Sequence, residues 1–371
     1  MFKLRNKNTG PIGLDLGHNS IKMIQLAWSD GKIRVIAAEE ADYVQDIDGA
    51  DEAGRESAIS AVKGMLAKGN FSGREVVSCL SNDSLKIKSL RLDTTDPRQI
   101  EEQFRNEVAR RFGLDADADE IRYMIAGSVY QGDEIKNEVI FFGMDKAGIA
   151  RHLGLLEDAG LTPVGIDAVP CALFRSFQAS LRRQEDQRLV SVLVDVGSLF
   201  TTVIIGRGQE IIFVKQIPIA GERLNAEVAS RLEVTVDEAK LLRAKLKNDT
   251  DGAMAPATRQ AVIDAMSRTI EELAKEISLC FRYYAVTFRG QRPTEVFFAG
   301  GEADETTLLR ALKRHLGVSI TIARPLRGFD LSQADFERRH DAEMSKWTVA
   351  VGLGMKGMDL STCESECYER N

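Results

Sequence analysis

The stretch GLDLGHNSIK, residues 13–22, carries a single aspartate, Asp15, near the end of an apolar run and follows it with a glycine at Gly17. A buried strand seldom tolerates a charge that has no partner. Glycine allows a tight turn and lets the backbone come close to a bound molecule. The stretch therefore predicts a strand that ends in either a capped turn or a ligand-binding loop.

The same pattern returns in the second half of the chain, in LVDVGSLFTTVIIGRG, residues 193–208. Superposing Asp15 on Asp195 also superposes Gly17 on Gly197, and two more strand-like runs follow each motif. A repeat this far apart indicates two duplicated halves rather than a short solenoid repeat. A third strand-like run, in VFFAGGEAD, residues 296–304, also ends in glycines.

A ligand explains the repetition better than a turn does. One Asp-x-Gly sequence alone is most simply a capped turn, but two copies in matching contexts favour a binding site. Two facing carboxylates can hold a hydrated Mg²⁺, which keeps several waters and takes one or two protein carboxylates. Backbone N–H groups after each glycine can bind phosphate oxygens, and Lys22 lies on the next strand, where it can reach the same phosphates.

Composition narrows the class of protein. A chain of 371 residues suggests two or more domains. Its net charge of −7 argues against a general nucleic-acid binder. We find no apolar run of about 18 residues for a transmembrane helix and no apolar signal-peptide core near the start. Cys79, Cys171 and Cys280 lie in apolar contexts typical of reduced core thiols, so we expect a cytoplasmic protein.

The segment from about residue 85 to residue 162 differs from the repeated halves. DPRQIEEQFRNEVARRFG, residues 96–113, has proline at the first helical position and glycine at its end, as helices often do. Two runs rich in β-branched and aromatic residues follow at 121–130 and 137–144. We expect a small sheet with one face covered by a helix.

These motifs together resemble the actin-like ATPases. GLDLGHNSIK is similar to their first phosphate motif, LVDVGSLFTTVIIGRG to the second, VFFAGGEAD to the adenosine motif, and KWTVAVGLGM, residues 346–355, to the second connecting helix. Within that superfamily the chain resembles the PilM family of type IV pilus assembly, a relative of the division protein FtsA. The segment after the second phosphate motif and the position of the inserted segment carry this closer resemblance.

The resemblance implies an α/β, actin-like (ribonuclease H-like) fold with two lobes and an inserted α+β subdomain of the FtsA and PilM type. Residues 1–84 and 163–190 would form the first lobe, and residues 85–162 the inserted, partner-binding subdomain. Residues 191–371 would form the second lobe, with a helical nucleotide-side subdomain at about 221–292.

The resemblance also implies ATP and Mg²⁺ as cofactors, in the cleft between the lobes. Asp15 and Asp195 would place Mg²⁺ through water. The residues that would line the phosphates are Gly17, His18, Asn19, Lys22, Gly197, Ser198, Thr201 and Thr202. The residues that would lie around the adenosine are Gly221, Glu222, Arg243, Gly300, Gly301 and Glu302, with Gly221 and Glu222 near the ribose and Arg243 near the base.

The chain departs from the family pattern where hydrolysis would need it. The family often has Glu-Pro at the first connecting helix, where the carboxylate can orient the attacking water. Here Val169 precedes Pro170, and valine cannot orient a water. Asp167 lies two residues away. Unusual residue types also stand at Phe200, Ala220 and Glu302. We therefore expect nucleotide binding with slow or absent hydrolysis, and assign no catalytic residue.

The resemblance implies a partner, the cytoplasmic N-terminal peptide of a PilN-like inner-membrane protein, bound in a groove between the inserted segment and the first lobe. Other pilus assembly ATPases are a further partner class. ATP would set the angle between the lobes, and the angle would set which partner binds. Nucleic acid and direct membrane insertion are not expected, so partners would recruit the cytoplasmic protein to the inner membrane.

Two alternatives remain open on the sequence. The first is a division-type filament protein like FtsA, but the last residues of this chain are acidic and not amphipathic, unlike a membrane-targeting helix. The second is a sugar or acid kinase of the same superfamily, which would need an aspartate that takes a proton from the acceptor hydroxyl. No recognisable kinase acceptor motif carries such an aspartate.

Overall fold

The computed structural model describes residues 9–29, 31–42, 52–80, 84–93, 96–115, 118–131, 133–179, 190–249, 252–334 and 344–358. The strands are β1 (Thr9–Leu16), β2 (Ser20–Ser29), β3 (Lys32–Asp42), β4 (Glu75–Leu80), β5 (Lys86–Leu92), β6 (Asp119–Gln131), β7 (Glu134–Asp145), β8 (Thr162–Ala168), β9 (Val190–Val196), β10 (Thr201–Arg207), β11 (Glu210–Ile217), β12 (Glu295–Ala299) and β13 (Ser319–Ile322).

The helices are α1 (Glu52–Lys68), α2 (Pro97–Phe112), α3 (Lys146–Asp158), α4 (Val169–Gln178), α5 (Gly221–Leu232), α6 (Val236–Asn248), α7 (Pro256–Thr287), α8 (Thr306–Leu316) and α9 (Thr348–Lys356). A 3₁₀ turn, Ser345–Trp347, leads into α9. None of these described helices is both long enough and apolar enough to span a bilayer.

Two five-stranded sheets with the same topology form the two lobes. Their strand orders are β3-β2-β1-β4-β8 and β11-β10-β9-β12-β13. In each, the first three strands form an antiparallel meander, and the last two run parallel to the central strand. The central strands β1 and β9 carry the two aspartates. The duplication predicted from the sequence is thus confirmed at the level of the sheets.

The central strands read as nearly continuous apolar runs because helices cover both faces of their sheets. In the first sheet, α1 and α3 cover one face, with Leu14, Val62 and Leu156 in one apolar cluster. The other face packs on α9, where Ile24 and Ala350 share a second cluster. Such strands can carry a charge only at their ends, where Asp15 and Asp195 lie.

The insert, defined here as residues 84–145, forms a three-stranded antiparallel sheet in the order β5-β7-β6. Helix α2 covers one face of this sheet with Ile100, Phe104 and Val108, which are four residues apart and therefore share one side of the helix. The helix ends before Gly113, whose φ is +63°. This arrangement is the helix-covered sheet predicted for the inserted segment.

Two helices pack in the first lobe, although the predicted boundaries gave one to the inserted subdomain and the other to the second lobe. Helix α3 falls within residues 85–162, yet its Leu155 and Leu156 lie in the core of the first lobe. Helix α9 falls within residues 191–371, yet it packs on β1, β2 and α4. Both corrections have one cause: sequence boundaries are contiguous, whereas amphipathic helices pack on whichever sheet the chain returns to.

Helices α4 and α9 cross between the two sheets. A Cβ atom at Gly352 would lie 1.8 Å from the carbonyl oxygen of Ala172, so only glycine permits this crossing. Leu173 and Leu353 join side chains of both sheets in one apolar cluster. The lobes therefore meet over a continuous core at the floor of the cleft.

Candidate functional site

The central strands of the two lobes end at one cavity of about 410 Å³, within the size range of small-molecule sites. Eleven of the residues predicted for nucleotide binding line it: Asp15, Gly17, His18, Asn19, Lys22, Asp195, Gly197, Ser198, Gly300, Gly301 and Glu302. The other lining residues are Leu16, Ser20, Glu40, Asp42, Cys79, Leu80, Val169, Leu199, Phe200, Lys247, Lys346 and Val349.

The two aspartates form the electrostatic centre of the cavity. Burial raises the pKa of Asp195 to about 7, with the charge of Asp15 acting in the same direction and Lys22 opposing it. Burial also raises the pKa of Asp15, where Lys22 lowers it and Glu40 raises it. Negative charge on Asp15 thus disfavours the ionised form of Asp195, and negative charge on Glu40 disfavours that of Asp15. A cation between Asp15 and Asp195 would offset the energetic penalty of burying the two charged carboxylates and the repulsion between them.

Glu40 holds two lysines at the cavity. Lys22 is buried, donates to Ser20 Oγ at 2.5 Å, and lies 3.9 Å from Glu40 Oε1. Lys346 Nζ lies 2.7 Å from Glu40 Oε2. Sequence reasoning missed Glu40 and Lys346. The hairpin between β2 and β3 contained the signal for Glu40, since its register pairs Lys22 with Glu40.

A direct contact across the cleft joins the turn after β1 to the turn after β9, the two loops predicted to bind phosphate. Asn19 Nδ2 donates to Ser198 Oγ at 2.9 Å and to Glu222 Oε1 at 3.4 Å. Glu222 does not line the cavity, and it also lies 3.2 Å from Lys240 Nζ. Glu222 therefore bridges the turn after β9 to α6.

The two threonines predicted for phosphate binding lie behind the loop rather than in the cavity. Thr201 is fully buried, and its hydroxyl donates to the Ile219 carbonyl at 2.6 Å. Thr202 pairs with Asp195 across β9 and β10. Its buried hydroxyl has no hydrogen-bond partner among the described residues. Thr201 thus holds the backbone of the loop in place through the Ile219 carbonyl, and Thr202 is the threonine that lies beside Asp195.

The glycine turn after β12 lies directly on Asp195. Gly300 has a φ of +94°, a region that favours glycine. A Cβ atom there would lie 2.8 Å from Asp195 Oδ1 and 2.4 Å from the Val196 carbonyl oxygen. The turn therefore requires glycine both for its backbone conformation and for its closeness to the aspartate.

Arg243 occupies a different place from the one predicted. It does not line the cavity and is only 5% exposed. Its guanidinium donates to the Gly221 carbonyl at 3.0 Å and to Glu302 Oε2 at 2.6 Å, and it also pairs with Glu305. Arg243 therefore joins the start of α5 to the glycine turn after β12. Gly221, like Arg243, is not among the residues lining the cavity.

Lys247 is the basic residue of α6 that reaches the cavity. It lies one helical turn after Arg243, and its Nζ donates to the Gly301 carbonyl at 3.2 Å and pairs with Asp304. Helical spacing places both side chains on one face of α6. The sequence analysis missed Lys247, because only packing shows which of the two side chains is buried and which reaches the cavity.

Among the described residues, none of the carboxylates that line the cavity lies at the start of α4. Val169 lines the cavity. Asp167 accepts from Arg175 at 2.7 Å and lies 3.2 Å from Lys356 Nζ. These contacts hold Asp167 in place at the end of β8.

Comparison with known proteins agrees with this geometry. The family model described as "Type IV pilus assembly protein PilM" matches residues 13–358. A solved PilM-PilN type IV pilus biogenesis complex superposes with a TM-score of 0.76 at 19% identity, over 95% of this chain and 99% of that one. The ethanolamine utilization protein EutJ from Carboxydothermus hydrogenoformans superposes with a TM-score of 0.55 at 14% identity, over 93% and 89%. With the family model covering nearly its whole length, the chain belongs to the PilM family of type IV pilus assembly proteins, and its fold is actin-like.

Proposed function

We propose that this protein is a nucleotide-binding scaffold of a type IV pilus or related secretion machine. It binds ATP·Mg²⁺ between its lobes and the cytoplasmic N-terminal peptide of a PilN-like inner-membrane protein beside its insert. Nucleotide binding is supported by the pair of buried aspartates, one from each lobe, that face one cavity between glycine turns. Family membership carries the pilus assignment.

The donor set fits Mg²⁺. Asp15 and Asp195 supply two carboxylates, and no group of three or more His, Cys, Asp or Glu side chains suited to a metal occurs in the described part of the chain. Mg²⁺ takes few protein ligands and completes its shell with water and phosphate oxygens. When bound, the ion would neutralise phosphate charge. The buried Thr202 hydroxyl, which lacks a partner among the described residues, lies beside Asp195 as a further polar group.

The loops around the aspartates fit a polyphosphate. Lys22 and Lys346 provide positive charge from the first lobe side, held in place by Glu40. Asn19 and Ser198 face each other across the cleft and can exchange their mutual hydrogen bond for phosphate oxygens. Gly301 and Lys247 border the end of the cavity where the adenosine would lie.

The partner proposal rests on the similarity to the PilM–PilN complex and on an edge strand of the first sheet that carries an exposed apolar side chain. Strand β8 is the edge strand of the first sheet and follows the insert in sequence. Val164 on this strand is 53% exposed. An extended peptide can add to such an edge by backbone hydrogen bonds and place apolar side chains against its neighbours. Binding there would recruit the protein to the inner membrane.

We expect Val164→Lys to weaken binding of the PilN-like N-terminal peptide by about tenfold, because a charge would replace an apolar contact. Isothermal titration with the synthetic peptide measures this. Leu241→Lys is the matched control, since Leu241 is 62% exposed on α6, away from the insert. Equal affinity of the two variants would remove β8 from the peptide site.

We expect steady-state ATP hydrolysis to be far slower than the roughly 10 s⁻¹ typical of enzymes, because Val169 cannot orient water. Val169→Glu should raise the rate, because it supplies a carboxylate that can orient water. The helix dipole stabilises a negative charge at the start of α4 and so favours the ionised form of this carboxylate. Val169→Leu controls for the change in side-chain size. Phosphate release under saturating ATP measures all three proteins. A wild-type rate near the enzyme norm would show that another residue positions the water.

A further inference from the structure

The insert follows the first lobe in sequence but rests on the second lobe in space. Its strands β5, β6 and β7 all contact β11, the edge strand of the second sheet. Its Ala126 lies in an apolar cluster that also contacts Phe288, just after α7. Arg289 lies over the Tyr130 ring, 4.4 Å from the ring centroid. The insert thus contacts both the edge of the second sheet and the end of its longest helix.

A buried polar network fixes this contact. Glu138 on β7 is 2% exposed and accepts a hydrogen bond from Tyr283 Oη at 2.6 Å and from Arg91 Nε at 2.9 Å. Arg91 also donates to Thr287 Oγ1 at 3.4 Å. Burial, and then Glu138, raise the pKa of Tyr283, so its hydroxyl keeps the proton that it donates.

Such a network holds or breaks as a unit. A buried carboxylate that loses its partners is strongly unfavourable, and Glu138 has partners both in the insert and on α7. The insert therefore cannot slide gradually across α7, as it could across a purely apolar contact. The insert also packs on the first lobe, where Ile140 shares an apolar cluster with Val77 and Cys79. When the lobes move relative to each other, that apolar contact can slide, whereas the hydrogen-bonded contact with α7 holds.

Helices α5 and α7 connect this contact to the loop proposed to bind phosphate. Helix α5 begins beside the second phosphate loop, where the Glu222 N–H donates to the Ser198 carbonyl at 2.9 Å. Helix α5 packs on α7, and Arg223 pairs with Glu272 at 2.7 Å. Helix α7 then runs without a break from Pro256 to Thr287 and ends at the insert. A shift of the loop at Ser198 can thus reach Glu138 through two packed helices.

We propose that Glu138, Arg91 and Tyr283 tether the insert to α7, so that nucleotide-dependent movement of the second lobe changes the groove between the insert and the first lobe. This inference rests on the proposed function, since it makes the nucleotide the regulator of the peptide site. Through this tether, the presence or absence of nucleotide in the cleft sets the width of the groove between the insert and the first lobe, where the peptide binds.

Tyr283→Phe tests the tether, because it removes only the hydroxyl that donates to Glu138. The phenyl ring keeps the contact with Phe213, whose centroid lies 5.3 Å away. Arg282→Ala is the matched control: Arg282 is exposed and neighbours Tyr283 on the same helix. Hydrogen–deuterium exchange of the full-length proteins is measured with and without ATP·Mg²⁺, in the phosphate loops and in β6 and β7.

In wild type and in Arg282→Ala, ATP·Mg²⁺ should change exchange both in the phosphate loops and in the insert, by about fivefold in the insert. In Tyr283→Phe the loops should respond as before, and the response of the insert should fall below about twofold. An insert that responds equally in Tyr283→Phe, or that fails to respond in wild type while the loops do, overturns the tether.

Phosphate loops that do not respond in wild type would contradict nucleotide binding instead. The tether is then judged in the ligand-free proteins. There Tyr283→Phe should speed exchange in β7 and in the last turns of α7 together, because the network breaks as a unit. Faster exchange on one side alone, or on neither side, overturns the tether independently of any nucleotide.

Discussion

Asp195→Ala is expected to weaken ATP·Mg²⁺ binding from the micromolar range by about 100-fold, which corresponds to about 2.8 kcal/mol. Asp195 ends the central strand of the second sheet and faces Asp15 across the cavity. In the proposed function, removing its carboxylate removes one of the two anchors for Mg²⁺, while the loops proposed to bind phosphate remain. Asp15→Ala should have a similar effect for the same reason.

Isothermal titration with ATP in the presence of Mg²⁺ measures this loss. Glu210→Ala is the control, because Glu210 is an exposed carboxylate at the start of β11, away from the cavity. Repeating the titration with EDTA should bring wild type close to the Asp195→Ala value. Wild-type affinity in the Asp15→Ala, Asp195→Ala double variant would contradict the assignment of both residues to the metal.

The second prediction is that Asp195→Asn stabilises the ligand-free protein above neutral pH. In the folded protein, burial raises the pKa of Asp195 to about 7, against an ordinary value of 3.8. Between these values the folded state holds a proton that the unfolded state has lost. The contribution of Asp195 to the free energy of unfolding therefore falls as the pH rises from about 4 to about 7.

The expected loss in the free energy of unfolding of wild type between about pH 4 and pH 7 is on the order of 2–4 kcal/mol, since each pKa unit corresponds to about 1.4 kcal/mol. The asparagine side chain has no proton to lose. Above pH 7 the free energy of unfolding of Asp195→Asn should therefore exceed that of wild type by this amount, which corresponds to roughly 5 °C in Tm. His152 contributes the opposite slope, because burial lowers its pKa to about 4. That slope is present in both proteins and cancels in their difference.

Thermal unfolding from pH 5 to pH 8, without ligand, measures the difference between the two proteins. ATP·Mg²⁺ should then stabilise wild type strongly and Asp195→Asn weakly, so the order of stability reverses with ligand. Glu210→Gln should follow wild type at every pH. A difference between wild type and Asp195→Asn that stays constant from pH 5 to pH 8 would contradict the raised pKa. Such opposed effects are typical of sites that give up stability for binding.

Much of the site could be predicted from local sequence because strand ends and glycine turns are local features. An apolar run that carries one Asp into Gly specifies where a strand stops, and two such runs specified two related lobes. The insert was also visible, since α2 begins with Pro97 and ends before Gly113. Each of these features depends on residues within one turn or one strand of each other.

The sequence by itself therefore determined the duplicated halves, the two aspartates at their strand ends, and the helix-covered sheet of the insert. Only the tertiary structure decided that Lys346 meets Glu40, that Arg243 is buried between carboxylates while Lys247 reaches the cavity, and that Glu138 bonds to Tyr283. The reason is physical: these pairs are far apart in the chain, and their contacts depend on how whole elements pack. Helical or strand spacing fixes a residue's face, but the partner of that face is fixed by packing alone.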